Sequence, residues 1–67
     1  MKLDPDWIAE GWRSHDGGEC PIDYNLFVDQ ILYRSGDIAD CGLRAGIMYW
    51  KHDRAFPTVD IVAYLVK

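Results

Sequence analysis

The stretch Asp60-Ile61-Val62-Ala63-Tyr64-Leu65-Val66 decides the fold. It is rich in β-branched and aromatic side chains, the composition of a strand, and it is the clearest such signal in the chain. Working back from it, His52-Asp53-Arg54-Ala55-Phe56-Pro57 reads as a turn and Ala45-Gly46-Ile47-Met48-Tyr49-Trp50-Lys51 as another strand. There Ile47 and Tyr49 would share one face, Met48 and Trp50 the other. Residues 37–44 are mostly polar and read as a connection. Residues 24–34 fit two patterns. As a helix, Tyr24, Phe27, Val28, Ile31 and Leu32 form a stripe capped by Asp23. As a strand, Phe27, Ile31 and Tyr33 alternate against Val28, Gln30, Leu32 and Arg34, with Asp29 out of pattern. The weight of Phe, Val, Ile and Tyr favours the strand, and Ser35-Gly36-Asp37 reads as the turn that follows.

The N-terminal end carries the helix signal. Asp4 can cap, Pro5 suits the first helical position, and Asp6 lies in the first turn, where an acid complements the macrodipole. Leu3, Trp7, Ile8 and Trp12 fall at helical spacing, which predicts a helix over about residues 5–13, although Gly11 could end it early. Ser14-His15-Asp16-Gly17-Gly18-Glu19-Cys20-Pro21 reads as a loop. The expected fold class is therefore α+β, a short N-terminal helix packed on a three-stranded antiparallel meander, in a single small domain over 1–67.

The chain has 67 residues, 49% of them hydrophobic and 13% aromatic, the make-up of a folded chain. At this size about 60% of the unfolded surface is buried, so one modest core carries the fold. A multidomain enzyme is excluded, and no apolar run approaches the ~20 residues that span a bilayer, so no membrane partner is expected. The start, Met1 to Asp6, holds no long apolar stretch, and no secretory leader is expected. Cys20 and Cys41 then fall in a reducing compartment, where free thiols are the rule, although one bridge between them stays open. His15-x4-Cys20 and Cys41-x10-His52 lack the tight pairing of structural zinc ligands, so neither metal nor cofactor is expected. Ser14, His15 and Asp16 are adjacent in sequence, which is not the spatial arrangement of a triad. Gly17-Gly18 has no following lysine, and Asp16 and Glu19 would repel phosphate. The chain is not expected to be an enzyme.

Charge carries the functional signal. Residues 1–40 hold nine acids (Asp4, Asp6, Glu10, Asp16, Glu19, Asp23, Asp29, Asp37 and Asp40) against Lys2, Arg13 and Arg34, a balance of −6. Residues 41–67 hold Asp53 and Asp60 against Arg44, Lys51, Arg54 and Lys67, a balance of +2. The net −4 argues against direct nucleic-acid binding, which relies on Lys and Arg. Asp6 and Glu10, four apart, share a helix face, and such like-charge pairs cost a few tenths of a kcal/mol. Trp7 and Trp12 read as core. Trp50 is a candidate interface anchor.

The pattern Trp12-x2-His15-x-Gly17-Gly18-x-Cys20-Pro21, then Arg34-Ser35-Gly36-Asp37, Ala45-Gly46-x3-Trp50 and Asp60-Ile61-Val62-Ala63-Tyr64, resembles a family of small uncharacterised proteins encoded by bacteriophages and prophages. It covers most of the chain from Trp12 onward and carries no catalytic motif. Residues 24–33 depart from the family's more regular alternation. In size, acidity and expected fold the chain is also similar to the small anti-CRISPR proteins that inhibit type I CRISPR systems. That resemblance implies an inhibitor, acting as a monomer in the host bacterial cytoplasm, whose acidic face imitates DNA. It would occupy the CRISPR effector subunit that reads the PAM. The acids implied are Asp6, Glu10, Asp29, Asp37 and Asp40. The alternative is a phage accessory module that binds a host protein through an aromatic patch at Trp50 and Tyr64, without DNA mimicry.

Overall fold

The computed structural model describes residues 3–52, 55 and 57–66. Along the chain run helix α1 (Pro5–Ala9), strands β1 (Trp12–Ser14), β2 (Phe27–Tyr33) and β3 (Ile38–Arg44), 3-10 turns at Ala45–Ile47 and Pro57–Val59, and strand β4 (Ile61–Val66). All strand pairs are antiparallel, in the order β1-β4-β2-β3. The α+β class stands, but the sheet has four strands rather than three. Nor is it a meander, because β4 inserts between β1 and β2.

Three departures from expectation have local causes. The helix begins as predicted, with Asp4 extended and Pro5 at its first position, although the Asp4 side chain makes no capping bond. It ends at Ala9 because Gly11, at φ +103°, turns the chain. That turn releases Trp12–Ser14 into β1, paired with β4 from Trp12↔Leu65 to Ser14↔Ala63. Residues 37–44, expected as a connection, form β3. The 45–51 segment, expected as a strand, folds instead as a 3-10 turn and a loop. Its main chain is engaged elsewhere: Ala45 N–H donates to Leu26 O (2.8 Å), Gly46 N–H to Tyr24 O (3.0 Å) and Met48 N–H to Ala45 O (3.2 Å). Of the expected turn at 52–57, Asp53, Arg54 and Phe56 lie outside the described residues.

Two irregularities decide which side chains face which way. The β2 register shifts between Val28 and Gln30 on both sides: against β4 Asp29 is the extra residue, a β-bulge, whereas against β3 two residues, Cys41 and Gly42, stand opposite it. A second shift, between Leu32 and Tyr33, lies where β4 carries Val62. As a result Ile61 and Tyr64 face one side, Val62 and Ala63 the other, and all four are buried. The β4 run reads as continuously apolar because both of its faces are covered.

The core accordingly has two layers. On the helix-bearing face, Leu3, Trp12, Leu32, Val62 and Ala63 pack with Trp7 and Leu65. Trp7 and Trp12 meet at 5.0 Å between ring centroids. On the opposite, loop-bearing face, Val28, Ile31, Ala45, Trp50, Ile61 and Tyr64 pack together. Loops 15–25 and 45–52 close over that layer, bringing Cys20, Ile22 and Met48 against it.

Candidate functional site

The five acids singled out from the sequence are all solvent-exposed. Asp6 lies in α1 and Glu10 caps its end, one turn on, with Glu10 N–H bonded to Asp6 O (3.2 Å). Asp40 belongs to the same side of the sheet. It pairs with Gln30, whose Nε2 donates to Asp40 Oδ1 (3.1 Å), and Gln30 alternates with Ile31 and shares the helix-bearing face with Leu32 at i+2. Asp29 stands out at the bulge. Asp37 lies in the β2–β3 turn, where Ser35 Oγ donates to its Oδ2 (3.1 Å). Arg44 shares the Asp40 side and sits over the Phe27 ring, 5.6 Å from its centroid.

The aromatic pair is placed differently. Trp50 is 4% exposed and Tyr64 3%. Their rings meet edge-on at 5.2 Å inside the loop-bearing layer. Trp50 Nε1–H donates to Ala45 O (2.8 Å), which explains why an indole is tolerated at depth. A partner cannot reach either ring, so the proposed aromatic patch at Trp50 and Tyr64 is corrected to a core contact. Four of the exposed apolar side chains, Leu43, Ile47, Tyr49 and Val59, line a groove of about 380 Å³.

A polar cluster that the sequence did not announce holds the two loops to β4. His15, 4% exposed, donates from Nε2 to Trp50 O (2.6 Å). His52 Nε2 donates to Ile61 O (2.8 Å), which leaves Nδ1 to accept from Arg34 Nη2 (3.2 Å). Buried Asp60 faces Arg34 Nη2 at 3.5 Å and His52 Nδ1 at 3.9 Å. Gly17 lies directly against the His52 ring. Several residues of the quoted sequence pattern are therefore one another's partners: His15 with Trp50, Trp50 with Ala45 and Tyr64, Arg34 with Asp60. That pattern encodes a clasp.

Ser14, His15 and Asp16 do border a common cleft of about 330 Å³. His15 Nε2, however, is committed to the Trp50 carbonyl. Asp16 accepts a hydrogen bond from Gly18 N–H (3.0 Å), which holds its carboxyl below the ordinary carboxylate value, helped by His15 and His52 nearby. Such a lowered acid favours the fold above the ordinary carboxylate range, and that contribution fades as pH falls through the lowered value. Cys20 and Cys41 are free thiols; Cys20 Sγ donates to Ile22 O (3.3 Å) and Cys41 Sγ lies 3.6 Å from Met48 Sδ. No group of three or more metal-ligating side chains occurs among the described residues. No helix among them is long and apolar enough to cross a membrane. Comparison with protein-family models, curated proteins and solved structures finds no match to this chain.

Proposed function

We propose that this chain is a phage-encoded anti-defence inhibitor that binds a host DNA-reading protein through an acidic, DNA-imitating surface. The intended target is the PAM-reading subunit of a type I CRISPR effector, and the site of action is the host bacterial cytoplasm. The observation that carries this reading is the disposition of charge on the helix-bearing side. Asp6, Glu10 and Asp40 are exposed there, and Asp29 and Asp37 project from the bulge and turn of the strands beneath. Arg34 is turned toward Asp60 and His52 and does little to neutralise that surface, and Arg44, the base that shares the Asp40 side, is held over the Phe27 ring. Carboxylates held on rigid elements would stand in for successive phosphates, and a protein that grips DNA by its backbone offers the complementary basic groove. Such a surface would speed association more than it would deepen affinity.

The test is association with a purified type I effector across a salt series, for the native chain and for Asp6→Asn, Glu10→Gln and Asp29→Asn combined. The expected result is a fall in association rate on the order of tenfold at low salt, a smaller difference at high salt, and competition by a PAM-bearing duplex. Binding that ignores both the substitutions and the salt would sink the proposal.

A further inference from the structure

The outer edge of β3 is a separate surface. Two hydrogen bonds show which way its backbone faces. Tyr33 N–H donates to Asp37 O (2.9 Å) and Ala45 N–H donates to Leu26 O (2.8 Å), so odd-numbered positions at both ends of the strand turn toward β2. Antiparallel ladders alternate, so Ile38 and Asp40 at one end and Arg44 at the other direct their N–H and C=O groups outward, on either side of the register shift at Cys41–Gly42. Among the described residues no strand lies beyond β3. The other edge, β1, is three residues long, and shortness is itself protection. β3 is seven residues long. Among the described residues its guards are the register shift and bend at Cys41–Gly42 (φ +69° at Gly42) and the charges of Asp40 and Arg44.

Those charges have opposite sign and stand two residues to either side of Gly42, with Cys41 and Leu43 between. A two-fold contact must be self-complementary, and this stretch is. We infer that β3 pairs antiparallel with β3 of a second copy of this chain, about an axis through Gly42. In that register each Asp40 faces Arg44 of the second copy, giving two opposite-charge cross-strand pairs. Each Cys41 faces Leu43 of the second copy on the loop-bearing side, next to the exposed Ile47 and Tyr49. The axis position is open: a Cβ built on Gly42 meets nothing within 4 Å. Moving the axis to Cys41 would set Asp40 against Gly42 and Arg44 against Ile38, and both charge pairs would be lost. The pairing replaces the expectation of a monomer; it would take Asp40 out of the acidic surface and leave Asp6, Glu10, Asp29 and Asp37 to the DNA-imitating role, which is tested on Asp6, Glu10 and Asp29.

Sedimentation of the full chain over a concentration series at low salt tests it. The expected species is a reversible dimer of twice the 7.7 kDa chain mass. Arg44→Asp alone, or Asp40→Arg alone, sets like charges opposite and weakens the dimer on the order of tenfold. The double variant exchanges the charges in both copies and restores it. Register is read with Leu43→Cys: under oxidised glutathione the new thiol links to Cys41 of the second copy, because facing non-hydrogen-bonded residues stand about 4.5 Å apart at Cα, within disulfide reach. Asp40, Leu43 and Arg44 are exposed, and circular dichroism confirms that each variant is folded. A native chain that stays monomeric at every concentration, or a double variant no better than the singles, overturns the inference.

Discussion

At Gly17 the ring of His52 occupies the space a side chain would need. A Cβ there would lie 2.5 Å from His52 Nδ1, and the backbone is at φ +93°. Gly36 has a similar φ of +97° with nothing within 4 Å. The pair separates two effects. Gly36→Ala should cost only the positive-φ strain, about 1 kcal/mol. Gly17→Ala should cost roughly 2 kcal/mol or more, since His52 must also leave Ile61 O and Arg34. Denaturant midpoints of the two variants check this; equal losses would mean that His52 moves freely. For a chain of this length total stability is on the order of 3–10 kcal/mol, so the difference is easily measured. The sequence marked Gly17 as part of a turn and His52 as a turn residue. That they touch depends on two loops meeting over the sheet, which no local pattern encodes. The same holds for Trp50: its identity invited an interface role, whereas its burial follows from the Ala45 carbonyl waiting for its N–H.

At the scale of elements, the bulge at Asp29 makes a sharp prediction. Val28 faces the loop-bearing layer and Gln30 the helix-bearing side, so Asp29 is a residue the alternation does not need. Deleting Asp29 keeps every other β2 side chain on its own face and restores the β4 register, while leaving Cys41 and Gly42 of β3 unopposed, so it should cost less than a deletion that inverts the strand. Deleting Leu32 instead inverts part of the strand and should abolish folding, because a one-residue slip exchanges core and solvent faces. Thermal melts of the two deletions decide the matter; equal damage would refute the bulge assignment. The bulge was half legible, since Asp29 already broke the strand pattern. β4 and β2 were legible because buried strands concentrate branched and aromatic residues. The helix start was legible in Asp4-Pro5, and its early stop in Gly11. β3 was not, for a physical reason. Its inward positions are the small Ala39 and the half-buried Cys41, while Ile38, Asp40, Leu43 and Arg44 are exposed on this edge strand, so the alternation leaves little hydrophobic signal. Of the candidate site, the exposure of the acids could be anticipated from charge. Their distribution over helix, bulge, turn and edge strand could not.

At the scale of the molecule, one sheet carries both core layers, and Ile61 to Tyr64 of β4 serve both. Damage to one layer should therefore be felt in the other. Leu32→Ala, on the helix-bearing face, removes a buried side chain at a cost of about 2–4 kcal/mol. Tryptophan fluorescence, which samples Trp50 in the opposite layer as well as Trp7 and Trp12, should shift together with far-UV circular dichroism, in a single transition. Two separated transitions would show that the layers melt independently.

The β1–β4 pairing also governs how the molecule bears a load. Trp12 faces Leu65 and Ser14 faces Ala63, so the chain enters β1 and leaves β4 at the same end of that ladder. Tension applied through the two chain ends would arrive at Trp12 and Leu65 first and peel the bonds apart one at a time, rather than shearing them together. The β1–β4 ladder is thus weak toward tension between Trp12 and Leu65, although β4 stays bonded to β2 along its other edge. An unfolding machine that pulls on the β1 side meets a zipper, with its slider already at the edge.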